Sequence, residues 1–208
     1  MQPAEWLNTF VDEIKTTPLL EWLGVGFGVA EVLLAKVNNI LLYPAGIISV
    51  IISSYIFFKA GLYAESLLNA YYLIMSIYGW LVWIRRRHQP PVEVSHATGR
   101  DWMMTLIITI AGFILLSFAL TRWTSSTVPY WDAWVSATAW AGMWLLARRK
   151  IENWVLLNIS NAFAIPLLLY KHLPLYAVLT LILFIIAVQG YFLWKRILAN
   201  QTTAPLAA

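Results

Sequence analysis

The chain has 208 residues, 61% of them apolar and 12% charged, with a mean hydropathy of +0.70 and a formal net charge of +4. Soluble domains run at roughly 45–50% apolar and about 25% charged, so a water-soluble globule is excluded, and a disordered chain this apolar would aggregate rather than stay solvated. The absence of cysteine removes disulfide frameworks, thiolate nucleophiles and cysteine-held metal clusters.

In chain order, residues 1–18 carry Glu5, Asp12 and Glu13 beside Trp6, Phe10 and Ile14 at four-residue spacing. A secretory leader would have a basic start, an apolar centre and a small-residue cleavage site. The pattern instead predicts a short helix in the membrane interface or packed on the rest of the protein. Long apolar runs follow at Leu19–Ala35, Ile40–Phe58, Leu62–Ile84, Trp102–Thr121, Trp131–Ala147, Trp154–Tyr170 and Pro174–Trp194. Each is long enough for a helix to cross hydrocarbon about 30 Å thick. The runs are continuous rather than alternating, which excludes barrel strands. The expected fold is an all-α integral membrane protein with seven transmembrane helices and a tail at 195–208, disordered from Gln201 onward.

Lys and Arg fall unevenly on the two sides of such a fold. One side holds Lys15, Lys59, Arg122 and Lys171; the other holds the remaining ten, including Arg85, Arg86, Arg87, Arg148, Arg149 and Lys150. Positive charge is retained in the cytoplasm, so the N-terminus is expected outside and the C-terminus inside. The basic clusters are read as topology signals, not as a nucleic-acid site.

An internal repeat is visible. Tyr78-Gly79-Trp80-x-x-Trp83 ends span three and Gln189-Gly190-Tyr191-x-x-Trp194 ends span seven, at an offset of 111 in the numbering. Gly61-Leu62-Tyr63-Ala64 matches Pro174-Leu175-Tyr176-Ala177 at an offset of 113, and Lys36 with Asn39 matches Lys150 with Asn153 at 114. The chain therefore divides into repeat one (19–84), a basic cytoplasmic loop (85–101), a linker helix (102–121) and repeat two (131–194). The single linker span turns the second triplet so that the repeats run parallel. Parallel repeats related by an axis along the membrane normal are a transporter architecture with the substrate site at the repeat interface.

Polar groups in hydrocarbon are costly unless they face a bundle interior or a cavity. Asn158 and Asn161 are three residues apart and share a helix face; Asn69, Gln189, Ser49, Ser53 and Ser54 are further candidates. Amides donate and accept, which suits a polar ligand. Helix-to-helix hydrogen bonding is the competing role. Most of the twelve Trp sit near span ends as interfacial anchors, whereas Trp80, Trp140 and Trp144 lie deeper and could stack on a planar ring. No phosphate-binding loop is present. Glu31, Glu65, Asp132 and Glu152 fall near span ends, Glu31 as a local pair with Lys36 and Glu152 at a helix start favoured by the dipole. Passive, uncoupled transport is therefore expected. His88, His96 and His172 lie in loops without ligand spacing, so neither a metal nor a cofactor is expected.

The Tyr78-Gly79-Trp80-x-x-Trp83 segment, Trp131-Asp132 opening span five, and Arg149-Lys150-Ile151-Glu152-Asn153-Trp154 before span six resemble the PnuC-type vitamin transporters over about residues 20–195. The sugar-carrying SWEET proteins share the three-plus-one-plus-three plan. The resemblance implies facilitated diffusion of nicotinamide riboside across the bacterial inner membrane, cytoplasmic trapping by a kinase, and a homotrimer with one pathway per protomer. Asn153, Trp154, Asn161, Gln189, Gly190, Tyr78, Gly79, Trp80 and Trp83 match family positions. The family often carries a second Trp where this chain has Leu157, with Asn158 beside it. The expected substrate-binding set is Asn158, Asn161, Gln189, Trp80, Asn153, Trp154, Tyr78 and Asn69. The alternatives are the same fold carrying thiamine or another B vitamin, and a seven-helix receptor or membrane enzyme.

Overall fold

A computed structural model describes residues 15, 17–59, 63–85, 93–124, 126–171 and 174–203. Among them are seven long helices: α1 (Leu19–Lys36), α2 (Leu42–Lys59), α3 (Tyr63–Arg85), α4 (Gly99–Trp123), α5 (Pro129–Ala147), α6 (Asn153–Tyr170) and α7 (Pro174–Thr203). Gly99–Trp123, Asn153–Tyr170 and Tyr176–Gln201 are long and apolar enough to cross a membrane by length and composition alone. The expected surface helix at 1–18 lies almost wholly outside the described residues, as does most of the basic loop. The tail is shorter than expected, because α7 continues through Gln201 to Thr203.

Local chemistry sets the helix starts. Pro18 is extended and precedes α1. A Thr98–Asp101 capping box opens α4, satisfying amides that the first turn leaves free. Pro129 occupies the first turn of α5, where its missing N–H costs nothing.

Consecutive helices pack α1 on α2, α2 on α3, α5 on α6 and α6 on α7, and the series joins where α7 meets α1 and α3 meets α5. These contacts close a ring in the order α1, α2, α3, α5, α6, α7. Helix α4 lies outside it against α5, burying Thr105, Gly112, Leu116 and Leu120 and exposing Met103, Leu106, Ile110, Ile114 and Phe118. A stripe of that kind is stable only against an apolar surround.

Equivalent contacts recur in the two halves, in the register that aligns Gly79 with Gly190. Ser49 donates to the Gly24 carbonyl at 2.8 Å and Ser160 to the Val135 carbonyl at 2.7 Å. Tyr43 lies against Gly79, and Trp154 against Gly190. The α1–α2 and α5–α6 turns have the same backbone bonds, Asn38 N–H to Ala35 and Arg149 N–H to Leu146, then Asn39 N–H to Leu34 and Lys150 N–H to Leu145. By that register Lys150 corresponds to Asn39 and Asn153 to Leu42. The sequence match at an offset of 114 is thus three residues out; shared composition, not equivalent position, produced it.

Both turns lie at one end of the ring, over a core of Leu42, Tyr43, Val94, Ile151, Trp154 and Trp194. Residues 93–98 cross this end as a strap rather than a free loop. Ser95 N–H donates to the Arg149 carbonyl and Ile151 N–H to the Ser95 carbonyl, and Val94 is buried beneath.

Candidate functional site: the interior of the helix ring

Glu31 turns from α1 toward α2, its carboxylate against Gly46, where any larger residue would collide with it. It lines a closed crevice, too narrow as it stands to admit a water molecule, together with Tyr43, Met75, Ser76 and Met143, drawn from α2, α3 and α5. Tyr43 and Ser76 are each 2% exposed, and their hydroxyls have no hydrogen-bond partner among the described residues. Sites for drug-sized ligands run about 300–1,000 Å3, so a ligand of riboside size needs the ring to open further.

The expected Glu31–Lys36 pair is not formed. Lys36 Nζ donates instead to Gln189 Oε1 at 2.6 Å, because residues five apart on a helix point in different directions while the end of α1 meets α7. Trp194 Nε1 closes the same seam, donating to the Ala35 and Lys36 carbonyls at 3.1 Å each. The other seam is aromatic. Tyr71 stacks on Trp140 with centroids 4.6 Å apart and donates to its carbonyl, and Tyr78 stacks on Trp144 at 6.0 Å.

The expected site residues are dispersed. Asn158 lines an open, mainly apolar groove of about 400 Å3 between α6 and α7, with Val155, Ile159 and Phe192. Those three are exposed, so this groove is on the outside of the ring. Asn161 is one turn beyond Leu157, which packs on Gly142 of α5, and two turns beyond Trp154, which packs on Gly190 of α7. It therefore lies opposite Val155, Ile159 and Phe163, on the inner side. Three residues of helix separate the two amides by about 60°, enough to part them here.

Asn153 is fully buried, its amide donating to the Lys150 carbonyl at 2.6 Å, and Trp154 meets Trp194 edge to face at 5.5 Å. Both hold the end of the ring together. Trp80 packs, half-buried, on the same core, and Asn69 is half-buried on α3. Glu152 does not cap α6; it accepts from Ala97 N–H and meets His96 Nδ1, both at 2.8 Å, fastening the strap. Asp132 bonds Ser126 and Lys171. Among the described residues no group of three or more His, Asp or Glu could hold a metal.

Sequence reasoning missed Arg149 as an interior cation. It is 1% exposed, with its guanidinium carbon 3.6 Å from the Trp83 ring centroid, 5.7 Å from Trp194 and 6.0 Å from Tyr43. Burial draws its pKa down to about 10, so the group is still a cation at neutral pH. Nearby, the Asp101 carboxylate pairs with Arg148 at 2.9 Å and Lys150 at 3.4 Å. Glu31 was passed over as well; the available signal was an acid inside an apolar run facing a glycine, Gly46, of the next.

A family model described as nicotinamide mononucleotide transporter matches residues 18–196. The chain belongs to that family. Members are transporters, so the protein is a multi-pass membrane protein of the bacterial inner membrane and not an enzyme. The chain is 26% identical to the nicotinamide riboside transporter PnuC of Escherichia coli strain K12 and, to the same degree, to that of Shigella flexneri, covering 84% of this chain and 84% of each relative. Its fold matches a crystal structure of the vitamin B3 transporter PnuC with a TM-score of 0.72 at 20% identity, over 94% of this chain and 88% of that one. The all-helical plan of the family transporter is thus shared.

Proposed function

We propose that this member of the family is a passive facilitator for nicotinamide riboside, trapped after entry by a cytoplasmic kinase. The observation that carries the mechanism is the pairing of the two seams. In the register of the repeat, the α7–α1 crossing corresponds to the α3–α5 crossing, as two parallel triple-helix repeats around an axis along the membrane normal require. This supports a three-plus-one-plus-three plan with α4 as the linker, and rocking of one triplet against the other as the transport movement. The distribution of Lys and Arg supports an outside N-terminus and an inside C-terminus, with Arg149 and the strap at the cytoplasmic end.

The riboside is preferred because both relatives carry that name, and an aromatic and amide interior that also carries the Glu31 carboxylate suits it. The family description names the mononucleotide, but the crevice lining has a carboxylate and no cation among the described residues, which opposes a phosphate. Asn161, Gln189, Trp80, Tyr78 and Asn69 are proposed to meet substrate as the ring opens. Asn153 and Trp154 join that set through movement of the α5–α6 turn, whereas Asn158, in the outer groove between α6 and α7, is left outside it. A homotrimer with one pathway per protomer completes the reading.

Calorimetry of the purified protein in detergent against nicotinamide riboside and thiamine tests it. Saturable riboside binding is expected; binding of thiamine alone would keep the scaffold and reject the ligand.

A further inference from the structure

Glu31 breaks the internal repeat. Its equivalent in the second half is Gly142, while the equivalent of Gly46 is Leu157, and each large side chain lies against the glycine across the helix seam. In the second half an isobutyl group fills the seam. In the first half the same space holds a carboxylate, without a hydrogen bond or ion pair among the described residues. An isolated charge in a membrane interior is costly, and acids kept there face partners or ligands.

Three polar groups converge on this crevice, the Glu31 carboxylate and the hydroxyls of Tyr43 and Ser76, which have no partner among the described residues. The rest of its lining is methionine and aliphatic surface. The nearest cation on the neighbouring turn, Arg149, has its face covered by Trp83 and does not line the crevice. A carboxylate beside a tyrosine ring and soft thioethers complements a flat organic cation. Nicotinamide joined to ribose through its ring nitrogen is such a cation.

Resting on the riboside reading above, we infer that Glu31 is the counter-charge of the substrate's pyridinium ring, and that it selects the cationic riboside over ligands of like shape without that charge. Once the helices part to admit the riboside, Tyr43 and Ser76 flank the pyridinium and supply hydroxyls for its amide. The same carboxylate repels a phosphate, which makes the mononucleotide a poor ligand.

The test compares nicotinamide riboside with its reduced dihydro form, which has nearly the same shape and no ring charge. Binding to the full-length protein in detergent is measured by calorimetry. The wild type is expected to bind the cation at least about tenfold more tightly than the reduced form, and Glu31→Gln to lose about tenfold or more for the cation while changing little for the reduced form. Glu31→Asp, which keeps the charge, should retain most of the preference. Equal losses for both ligands, or no loss for either, would overturn the inference while leaving the riboside reading intact. If Glu31→Gln elutes as aggregate, the wild-type comparison decides, since equal affinity for the two forms overturns the inference. No saturable binding of either form by the wild type would remove the riboside reading and this inference together.

Discussion

Asn38 and Arg149, at equivalent places in the two halves, both adopt left-handed backbone conformations, with φ of 56° and 58°. Each is the second residue after a helix, where the chain reverses into the next one. Asn is among the few side chains that tolerate this region, whereas β-branched residues are strained there. Asn38→Val should therefore destabilise by about 1–2 kcal/mol, lowering the thermal midpoint in detergent by roughly 2–8 °C. Asn38→Gly should be close to neutral. A tolerated valine would refute the backbone argument.

Arg149 takes the strained position in the second turn because of what surrounds it. Its guanidinium nitrogens have no hydrogen-bond partner among the described residues, so the Trp83 face is its principal stabilisation. A desolvated cation–π contact contributes about 2 kcal/mol or more, and truncating the indole adds a cavity. Trp83→Leu should cost about 3 kcal/mol or more, whereas Arg149→Met removes the buried charge that the ring stabilises and should be nearly neutral. Thermal unfolding of both variants, with the wild type alongside, would show a reversed order if the ring did not hold the charge.

Gly79 and Gly190 admit the Tyr43 and Trp154 rings at their Cα atoms, and an added methyl would lie inside van der Waals contact of either ring. Overpacking of this kind costs about 1–3 kcal/mol. Gly79→Ala and Gly190→Ala should each lower the midpoint by similar amounts, as equivalent contacts in the two halves. A large effect from one and none from the other would show that the halves are packed independently.

The two span-six asparagines separate inner from outer surface. Asn161→Leu should abolish riboside uptake, about tenfold or more below wild type, at unchanged membrane expression. Asn158→Leu, in the outward groove, should leave uptake within about twofold and raise stability slightly, because it removes an amide oxygen that has no partner among the described residues. Uptake measured in cells and normalised to membrane protein distinguishes them; the opposite order would reassign the inner face of α6.

Much of this architecture was legible beforehand for a physical reason. Apolar runs must be long to cross a bilayer, so the start of α1 at Leu19 and the ends of α5 and α6 at Ala147 and Tyr170 fell where composition changes. The Gly-aromatic-x-x-Trp repeat was legible because Gly79 and Gly190 answer the same packing demand, an aromatic ring pressed onto a helix backbone. Side-chain direction was less so. Asn158 and Asn161 diverge because about 100° per residue leaves three-residue neighbours about 60° apart, and only the position of α5 and α7 decides which side of that angle is inside. Glu31 was assigned to Lys36 by proximity along the chain, whereas α7 brought Gln189 closer to that lysine. Residues 93–98 contain no periodicity that would reveal a strap pairing with Lys150 and Glu152.

Equilibrative passage of nicotinamide riboside through the ring is measured most directly with purified protein in liposomes preloaded with unlabelled riboside, labelled riboside being added outside with no ion gradient imposed. Saturable uptake of label is expected, ending at equal concentrations on both sides and unchanged by a proton uncoupler. Uptake that requires a proton or sodium gradient, or none above protein-free liposomes, would contradict passive passage.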